Sequence, residues 1–211
     1  MKKAYLFLFA AACFTCTRIS AQNDAGAKKV LDGVSAKVRA SKGITASITL
    51  KAATSKGKEK GSQTGTLSMK GNRYLLKKGG TEIINDGSKV YTYDAANKTI
   101  TVASAEDNGS SLNPQKLLTG AYESDFKYRL VATKGNICQI EMIPADSRKN
   151  FQKADLFIDK TKNMITRAVI TDKGNNTTEL LISNLNTNAS LPDNLFVFNK
   201  GKYPPDVEVL D

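Results

Sequence analysis

Short alternations of apolar and polar residues, separated by turn residues, run from residue 44 to residue 184 and constrain the fold more than any other feature. Between residues 44 and 52, isoleucine, alanine and leucine alternate with threonine, serine and lysine. A period of two gives each segment one apolar and one polar face, which is typical of antiparallel strands that cover a core. Turn signals such as Gly71-Asn72 and Asp86-Gly87 separate neighbouring segments at hairpin spacing. The pattern predicts about ten strands in a single curved sheet or barrel.

Two segments depart from this alternation and have helical spacing instead. The first, residues 27–40, carries four apolar side chains from Val30 to Val38 on one side. Either Asn23 or Asp24 can cap its start, because both side chains accept hydrogen bonds from free backbone amides. The sequence therefore predicts an amphipathic helix in front of the strands.

The second helical segment interrupts the strands after residue 103. Asn113 can cap it, Pro114 suits its first position, and three apolar residues then share one side. A curled sheet has an apolar inner face that needs a cover, and we expect this short helix to provide one. Its covering side chains are Leu117, Leu118 and Ala121.

Residues 1–21 have the pattern of a secretory signal peptide. Two lysines precede an apolar run that ends at Cys16, and small residues precede a cleavage point after Ala21. The run is shorter than the roughly 20 residues that span a bilayer. Cleavage leaves one domain, residues 22–211, outside the cytoplasm. A lipid anchor on Cys13 is the alternative, and an anchored protein could not diffuse freely.

The predicted mature chain is basic. Removing Lys2, Lys3 and Arg18 with the signal peptide lowers the net charge from +11 to +8. Export removes nucleic acid as a partner, and no aromatic residues interleave the densest lysine run, Lys51–Lys60, as base stacking would require. We interpret this run as a solvated hairpin tip. Attraction to an acidic partner or to anionic head groups is the alternative.

The composition argues against an enzyme. The chain has no histidine, so the commonest general base and the commonest zinc ligand are missing. Cys138, the one cysteine after residue 21, lies in an alternating segment, which favours a buried thiol over a reactive one. Carboxylates such as Asp86 and Asp172 fall at turns, where they bond the backbone. We therefore predict a protein that binds an apolar ligand on the concave side of its sheet, with no catalytic residue, metal or cofactor.

Five segments occur in an order and spacing that a known family shares. The longest, residues 82–94, runs from an apolar strand through the Asp86-Gly87 turn to an apolar-aromatic strand and a polar turn. The others are residues 30–38, 65–70, 73–76 and 191–198. In this order the chain resembles the periplasmic outer-membrane lipoprotein carriers, the LolA type, over nearly all of residues 22–211.

The resemblance implies a mainly β (α+β) fold: an incomplete antiparallel β-barrel of about ten to eleven strands, with helices covering its open apolar face. Members of the family hold the acyl chains of lipoproteins in this cavity and carry them across the periplasm. We accordingly expect a periplasmic monomer that binds acylated lipoproteins, with inner-membrane release machinery and an outer-membrane acceptor as partners. The expected cavity residues are Ile48, Leu50, Leu67, Met69, Leu75, Ile84, Tyr91, Tyr93 and Ile100, with Leu117, Leu118 and Ala121 in the lid.

One position departs from the family pattern. Family members have Arg-Pro after the second strand, and that arginine bonds the lid and holds it shut, whereas this chain has Gly71-Asn72. Arg73 follows two positions later, so the latch is missing or relocated. Two functions stay open: a carrier of lipoproteins, or a related binding protein for another apolar ligand such as a lipid or glycolipid.

Overall fold

The computed structural model describes residues 23–105 and 125–210. In these residues one α-helix precedes a 12-stranded sheet, and two short 3-10 helices, Asp193–Phe196 and Lys200–Lys202, lie near the C-terminus. The helix and strands are α1 (Ala25–Ala40), β1 (Ile44–Ala53), β2 (Glu59–Lys70), β3 (Arg73–Lys78), β4 (Thr81–Asn85), β5 (Lys89–Asp94), β6 (Thr99–Ser104), β7 (Phe126–Lys134), β8 (Ile137–Pro144), β9 (Phe151–Asp159), β10 (Met164–Asp172), β11 (Thr177–Asn186) and β12 (Glu208–Leu210).

Two antiparallel meanders make up the sheet. β1 to β6 pair in order, β7 to β11 pair in order, and β1 pairs with β11 to join the two sets. β12 adds in parallel to β6, so β12 and β7 form the two edges. Within the described residues these edges do not pair, and the sheet is not closed. The predicted fold class is confirmed, with twelve strands rather than ten or eleven because the short β12 extends the sheet.

The β1–β2 hairpin is longer than the apolar pattern predicts. Alternation in the second strand begins at residue 64, whereas β2 begins at Glu59. The reason is that β1 pairs with the backbone of β2 in this stretch as well, with Ala53 opposite Glu59 and Leu50 opposite Gln63. Backbone pairing needs no apolar side chain, so a Gly- and Lys-rich stretch can still form a strand. The solvated tip predicted for the lysine run is therefore confined to residues 54–58.

The start of α1 also protects the edge of the sheet. Asp24 Oδ1 accepts hydrogen bonds from the backbone amides of Gly26 (2.7 Å) and Ala27 (3.1 Å), so Asp24 is the helix cap. Its second oxygen accepts a bond from the Leu130 amide of edge strand β7 at 3.2 Å. The backbone bonds, that of Ala27 first and that of Leu130 second, hold the pKa of Asp24 below its ordinary value. One carboxylate thus fixes the helix to the strand that it covers.

The main core lies between α1 and the sheet. The helix packs against β7 and β10, and its inner side chains Leu31 and Val34 are buried. They belong to one cluster with Leu156 and Ile158 of β9. Cys138 is 2% exposed, which confirms the buried position predicted for it.

Candidate ligand-binding surface

The ladder register divides the sheet into two faces, because residues directly opposite each other in neighbouring strands point to the same side. We call the side that α1 covers the helix face; it includes Ile44 of β1 and Met69 of β2, which are paired and belong to the main core. We call the other side the outer face; it includes Leu75 of β3 and Ile84 of β4, which are also paired.

On the helix face, an apolar surface extends past the fully buried core. Its side chains are half-buried and cross five neighbouring strands, from β4 to β11. Leu76 lies opposite both Leu67 and Ile83, and Leu50 lies opposite Leu180 where the two meanders join. We call this surface the strip; it consists of Leu50, Leu67, Leu76, Ile83, Leu180 and Ile182. Half-buried apolar side chains at the border of a core offer a surface on which an apolar ligand can lie.

The nine residues predicted to line a cavity do not share one face. On the helix face, Ile48 and Met69 are buried in the core, while Leu50 and Leu67 belong to the strip. The other five lie on the outer face by their register; they are Leu75, Ile84, Tyr91, Tyr93 and Ile100. The role of all nine residues in binding remains a prediction. The predicted lid residues Leu117, Leu118 and Ala121 lie outside the described residues, as do the predicted signal peptide and Cys13, and their roles also remain predictions.

The chain after β11 covers the outer face of the first meander. Phe196 is fully buried against β3 and β4, and the ring of Phe198 stacks on Tyr91 with centroids 4.3 Å apart. We call residues 187–207 the C-terminal segment and its packed contact with the sheet the seam. The seam consists of Leu75, Ile84, Tyr91, Phe196 and Phe198. Protein side chains fill this apolar surface.

Polar contacts of the C-terminal segment flank its apolar contacts on both sides. Asp193 Oδ1 accepts hydrogen bonds from Lys70 Nζ at 2.9 Å and from Arg73 Nη2 at 2.6 Å. These two bonds, that from Lys70 first, hold the pKa of Asp193 below its ordinary value. Farther along, the Tyr203 hydroxyl donates to Glu82 Oε1 at 2.6 Å. The segment is therefore anchored on both sides of its apolar contacts.

The Tyr203–Glu82 bond joins a neutral phenol to a carboxylate. Burial raises the pKa of Tyr203, and the bond to Glu82 raises it further. Partial burial alone would raise the pKa of Glu82, but hydrogen bonds from Lys77 and Tyr203 outweigh it, and the pKa lies below its ordinary value. The charged acceptor and neutral donor are thus the stable forms at neutral pH.

Arg73 is engaged with the C-terminal segment. Gly71, with φ of 60°, and Asn72 make the tight turn between β2 and β3, and the left-handed backbone suits glycine. Arg73 then points to the outer face, where it bonds Asp193 and its guanidinium carbon lies 5.4 Å from the ring centre of Phe196. Among the described residues its contacts therefore hold the C-terminal segment rather than a cover over the helix face.

Sequence reasoning misses Phe196, Phe198 and Tyr203 as partners of the outer face. The available signal is the run of four apolar residues at 195–198, which follows the last alternating strand. Such a run is too short for a helix and does not alternate, so it indicates burial without indicating the partner.

Two surface pockets lie at the end of the sheet that holds the β1–β2 and β3–β4 turns. One, of about 560 Å³, opens on the outer face beside Glu82, Tyr93 and Tyr203. The other, of about 410 Å³, opens mainly on the helix face and reaches Leu50 of the strip. We call it the hairpin pocket; its lining includes Leu50, Ala52, Lys60, Gln63, Lys78 and Thr178. The hairpin pocket is thus continuous with the strip.

Solved structures of other proteins superpose on this chain. The solved structure of an uncharacterized conserved protein from Thermus thermophilus superposes with a TM-score of 0.57 at 12% identity, covering 88% of this chain and 98% of that one. A LolA superfamily protein from Nitrosomonas europaea gives a TM-score of 0.48 at 13% identity, covering 82% and 97%. No curated protein sequence matches the chain.

Within the described residues, no helix has the length and apolarity that a membrane span needs. The sequence model of one family matches most of the chain, residues 40–199, and that family is described as the outer membrane lipoprotein carrier protein LolA. The match extends from the end of α1 to the C-terminal segment and therefore includes the strip and the seam. This chain belongs to the LolA family.

Proposed function

We propose that this protein is a periplasmic carrier that holds the acyl chains of lipoproteins on the strip and moves them towards the outer membrane. The observation that carries the proposal is the strip itself, a half-buried apolar surface across five strands on the helix face. Membership of a family described as lipoprotein carriers supports the choice of cargo. The predicted signal peptide supports the periplasm as the place of action.

Acyl binding needs no specific polar group, which suits the leucine and isoleucine side chains of the strip. Each methylene removed from water contributes about 0.8 kcal/mol, so ten buried methylenes contribute about 8 kcal/mol. Association costs about 4–15 kcal/mol in lost freedom. A single chain would therefore bind weakly, and a cargo with more than one acyl chain would bind well enough to be carried.

We propose a carrier rather than an enzyme. The carboxylates that the sequence places at turns are occupied by backbone contacts: Asp86 Oδ1 accepts from the amides of Ser88 and Lys89, both at 2.8 Å. The thiol of Cys138 is buried. By the resemblance to the family, the carrier would work as a monomer, with inner-membrane release machinery and an outer-membrane acceptor as its partners.

Leu180 and Leu181 of β11 provide a matched test, because both are half-buried and their side chains point to opposite faces. Leu180 belongs to the strip, and Leu181 lies on the outer face opposite Thr49 and Arg167. We expect Leu180→Asn to weaken binding of an apolar fluorescent dye about tenfold or more and Leu181→Asn to leave it within twofold. Equal losses in the two variants would contradict the assignment of the strip.

Transport is tested separately from binding. The purified protein is added to inner-membrane vesicles that hold labelled lipoproteins, and released lipoprotein is measured in the soluble fraction. We expect release by the wild type and by Leu181→Asn, and little release by Leu180→Asn. Absence of release with any lipoprotein tried, despite dye binding, would exclude the carrier role.

A second candidate is a binding protein for another apolar cargo, a lipid or a glycolipid. The observation that favours it is the engagement of Arg73 with Asp193, which leaves this arginine committed to the C-terminal segment. Mass spectrometry of lipids extracted from the purified protein distinguishes the two. A single non-protein lipid would favour the second candidate, and recovery of acylated lipoproteins would favour the carrier.

A further inference from the structure

The hairpin pocket brings a polar end and an apolar surface together. By ladder register, Leu50, Ala52 and Gln63 point to the helix face, as does Lys78 opposite Gly65. Leu50 also lies opposite Leu180, the next residue of the strip. A linear ligand on the strip would therefore reach the pocket with one of its ends.

Lysines line this pocket and no carboxylate does. Its charged lining residues are Lys51, Lys60 and Lys78. Lys78 is half-buried, and among the described residues it has no carboxylate partner. Its neighbour Lys77 points to the outer face and pairs with Glu82 at 2.7 Å. An anion entering the pocket could therefore pair with the Lys78 ammonium through charge-assisted hydrogen bonds and would be stabilised there.

The charge of Lys60 acts on Asp172, and this carboxylate is committed to its own turn. It accepts hydrogen bonds from the side chain and the backbone amide of Asn176, both at 2.8 Å. These bonds are the main cause that holds the pKa of Asp172 below its ordinary value, and the charge of Lys60 is the smallest one. Asp172 therefore does little to neutralise the pocket.

We propose that the hairpin pocket binds an anionic head group, a phosphate or carboxylate, of an amphiphile whose acyl chain lies on the strip. This proposal rests on the proposed function, since the acyl chain of the ligand must lie on the strip. It adds that the head group of the cargo is anionic. Ammonium groups make charge-assisted hydrogen bonds to phosphate and carboxylate oxygens. Ser62, Gln63 and Thr178, which also line the pocket, carry neutral donors.

The test uses two probes with the same pair of twelve-carbon acyl chains. One is 1,2-dilauroyl phosphatidic acid, which is anionic, and the other is 1,2-dilauroyl glycerol, which is neutral. Each displaces an apolar fluorescent dye from the full mature protein. We expect the anionic probe to reach half-displacement at a concentration at least tenfold lower than the neutral probe.

Two double variants with equal changes of charge locate the effect. In Lys60→Gln with Lys78→Gln we expect the tenfold ratio to fall below threefold, with displacement by the neutral probe unchanged. In Lys56→Gln with Lys58→Gln, which alters lysines of the hairpin outside the pocket lining, the ratio should keep its wild-type value. Thermal unfolding of both variants checks that each is folded.

The outcomes separate this inference from the proposed function. Equal displacement by the two probes in the wild type, or the same loss in both double variants, would overturn the anionic site and leave acyl binding intact. Displacement by neither probe would remove the proposed function and this inference with it. Inorganic phosphate alone should not cancel the advantage of the anionic probe at equal concentration. If it did, the pocket would be a site for free phosphate, and the link to the strip would be wrong.

Discussion

The strip and the seam are both apolar surfaces of the sheet, but among the described residues only the seam is filled by the protein's own side chains. In the seam, Phe196 is fully buried, and Phe198 stacks on Tyr91. In the strip, Leu50 and Leu76 stay half-buried at the border of the core. An apolar surface that the protein fills stabilises the fold, whereas a half-buried one can still gain contacts from a ligand. Apolar character alone therefore does not identify a binding surface.

The largest expected effect comes from emptying the seam. Phe196→Ala leaves a cavity under the C-terminal segment, and loss of a buried phenylalanine lowers the free energy of unfolding by about 3–5 kcal/mol. Urea unfolding measures this loss. Below the unfolding transition, dye affinity should stay within twofold of wild type. A stability loss under about 1 kcal/mol would show that the seam contributes little to the fold.

Leu75 and Leu76 test the comparison directly, because they are neighbours in β3 with opposite orientations. Leu75 is 6% exposed in the seam, and Leu76 is half-buried in the strip. We expect Leu75→Ala to lower stability by about 2–5 kcal/mol without changing affinity. Leu76→Ala should destabilise less and weaken dye binding about tenfold, which corresponds to about 1.4 kcal/mol. The reverse pattern would mean that the ligand lies on the outer face.

The sequence predicts the local features of this fold. It does not predict which residues lie on which face where both faces of the sheet are apolar. Asp86-Gly87 makes the expected hairpin turn, with φ of 101° at Gly87, and short turns of this kind determine the order of neighbouring strands. Leu75 and Leu76 are adjacent apolar residues, as are Ile83 and Ile84. A period of two cannot assign such pairs to an inner or outer face. Which residue of each pair lies on the outer face depends on packing against residues 195–198, which are distant in the sequence, and no local pattern contains that information.

A smaller effect on stability is expected from the Tyr203–Glu82 hydrogen bond, which anchors the C-terminal segment beyond its apolar contacts. Tyr203→Phe removes the hydrogen bond to Glu82 and should lower stability by about 1 kcal/mol, with no change in dye affinity. Because the folded-state pKa of Tyr203 lies above the ordinary value of 10.0, this stabilisation is complete below pH 10 and is lost as the pH rises further. Ultraviolet titration of the tyrosines should show one fewer late-ionising group in the variant. Loss of a tyrosine that ionises near the ordinary value of 10.0 instead would contradict the bond.

The smallest expected effect is the change in stability at acid pH that comes from the contacts of Asp193 with Lys70 and Arg73. The folded-state pKa of Asp193 lies below the ordinary value of 3.8, so its pairs with Lys70 and Arg73 contribute above that pH and are lost as the pH falls through the folded value. The wild type should melt slightly higher than Asp193→Asn at pH 7, and the difference should shrink below pH 4. A constant difference down to pH 2 would exclude the carboxylate as its source.

The pairing of β1 with β11 has a consequence for how fast the protein folds. Each meander is built from neighbouring hairpins, but Ile48 and Ile182 meet although they lie far apart in the sequence. Closing so long a loop costs conformational entropy before the contacts between the two strands can form. Topologies rich in such distant pairings therefore fold slowly. A newly made chain would therefore expose its unpaired strands for longer than a protein made of local hairpins, and we expect refolding to be limited by the meeting of these two strands.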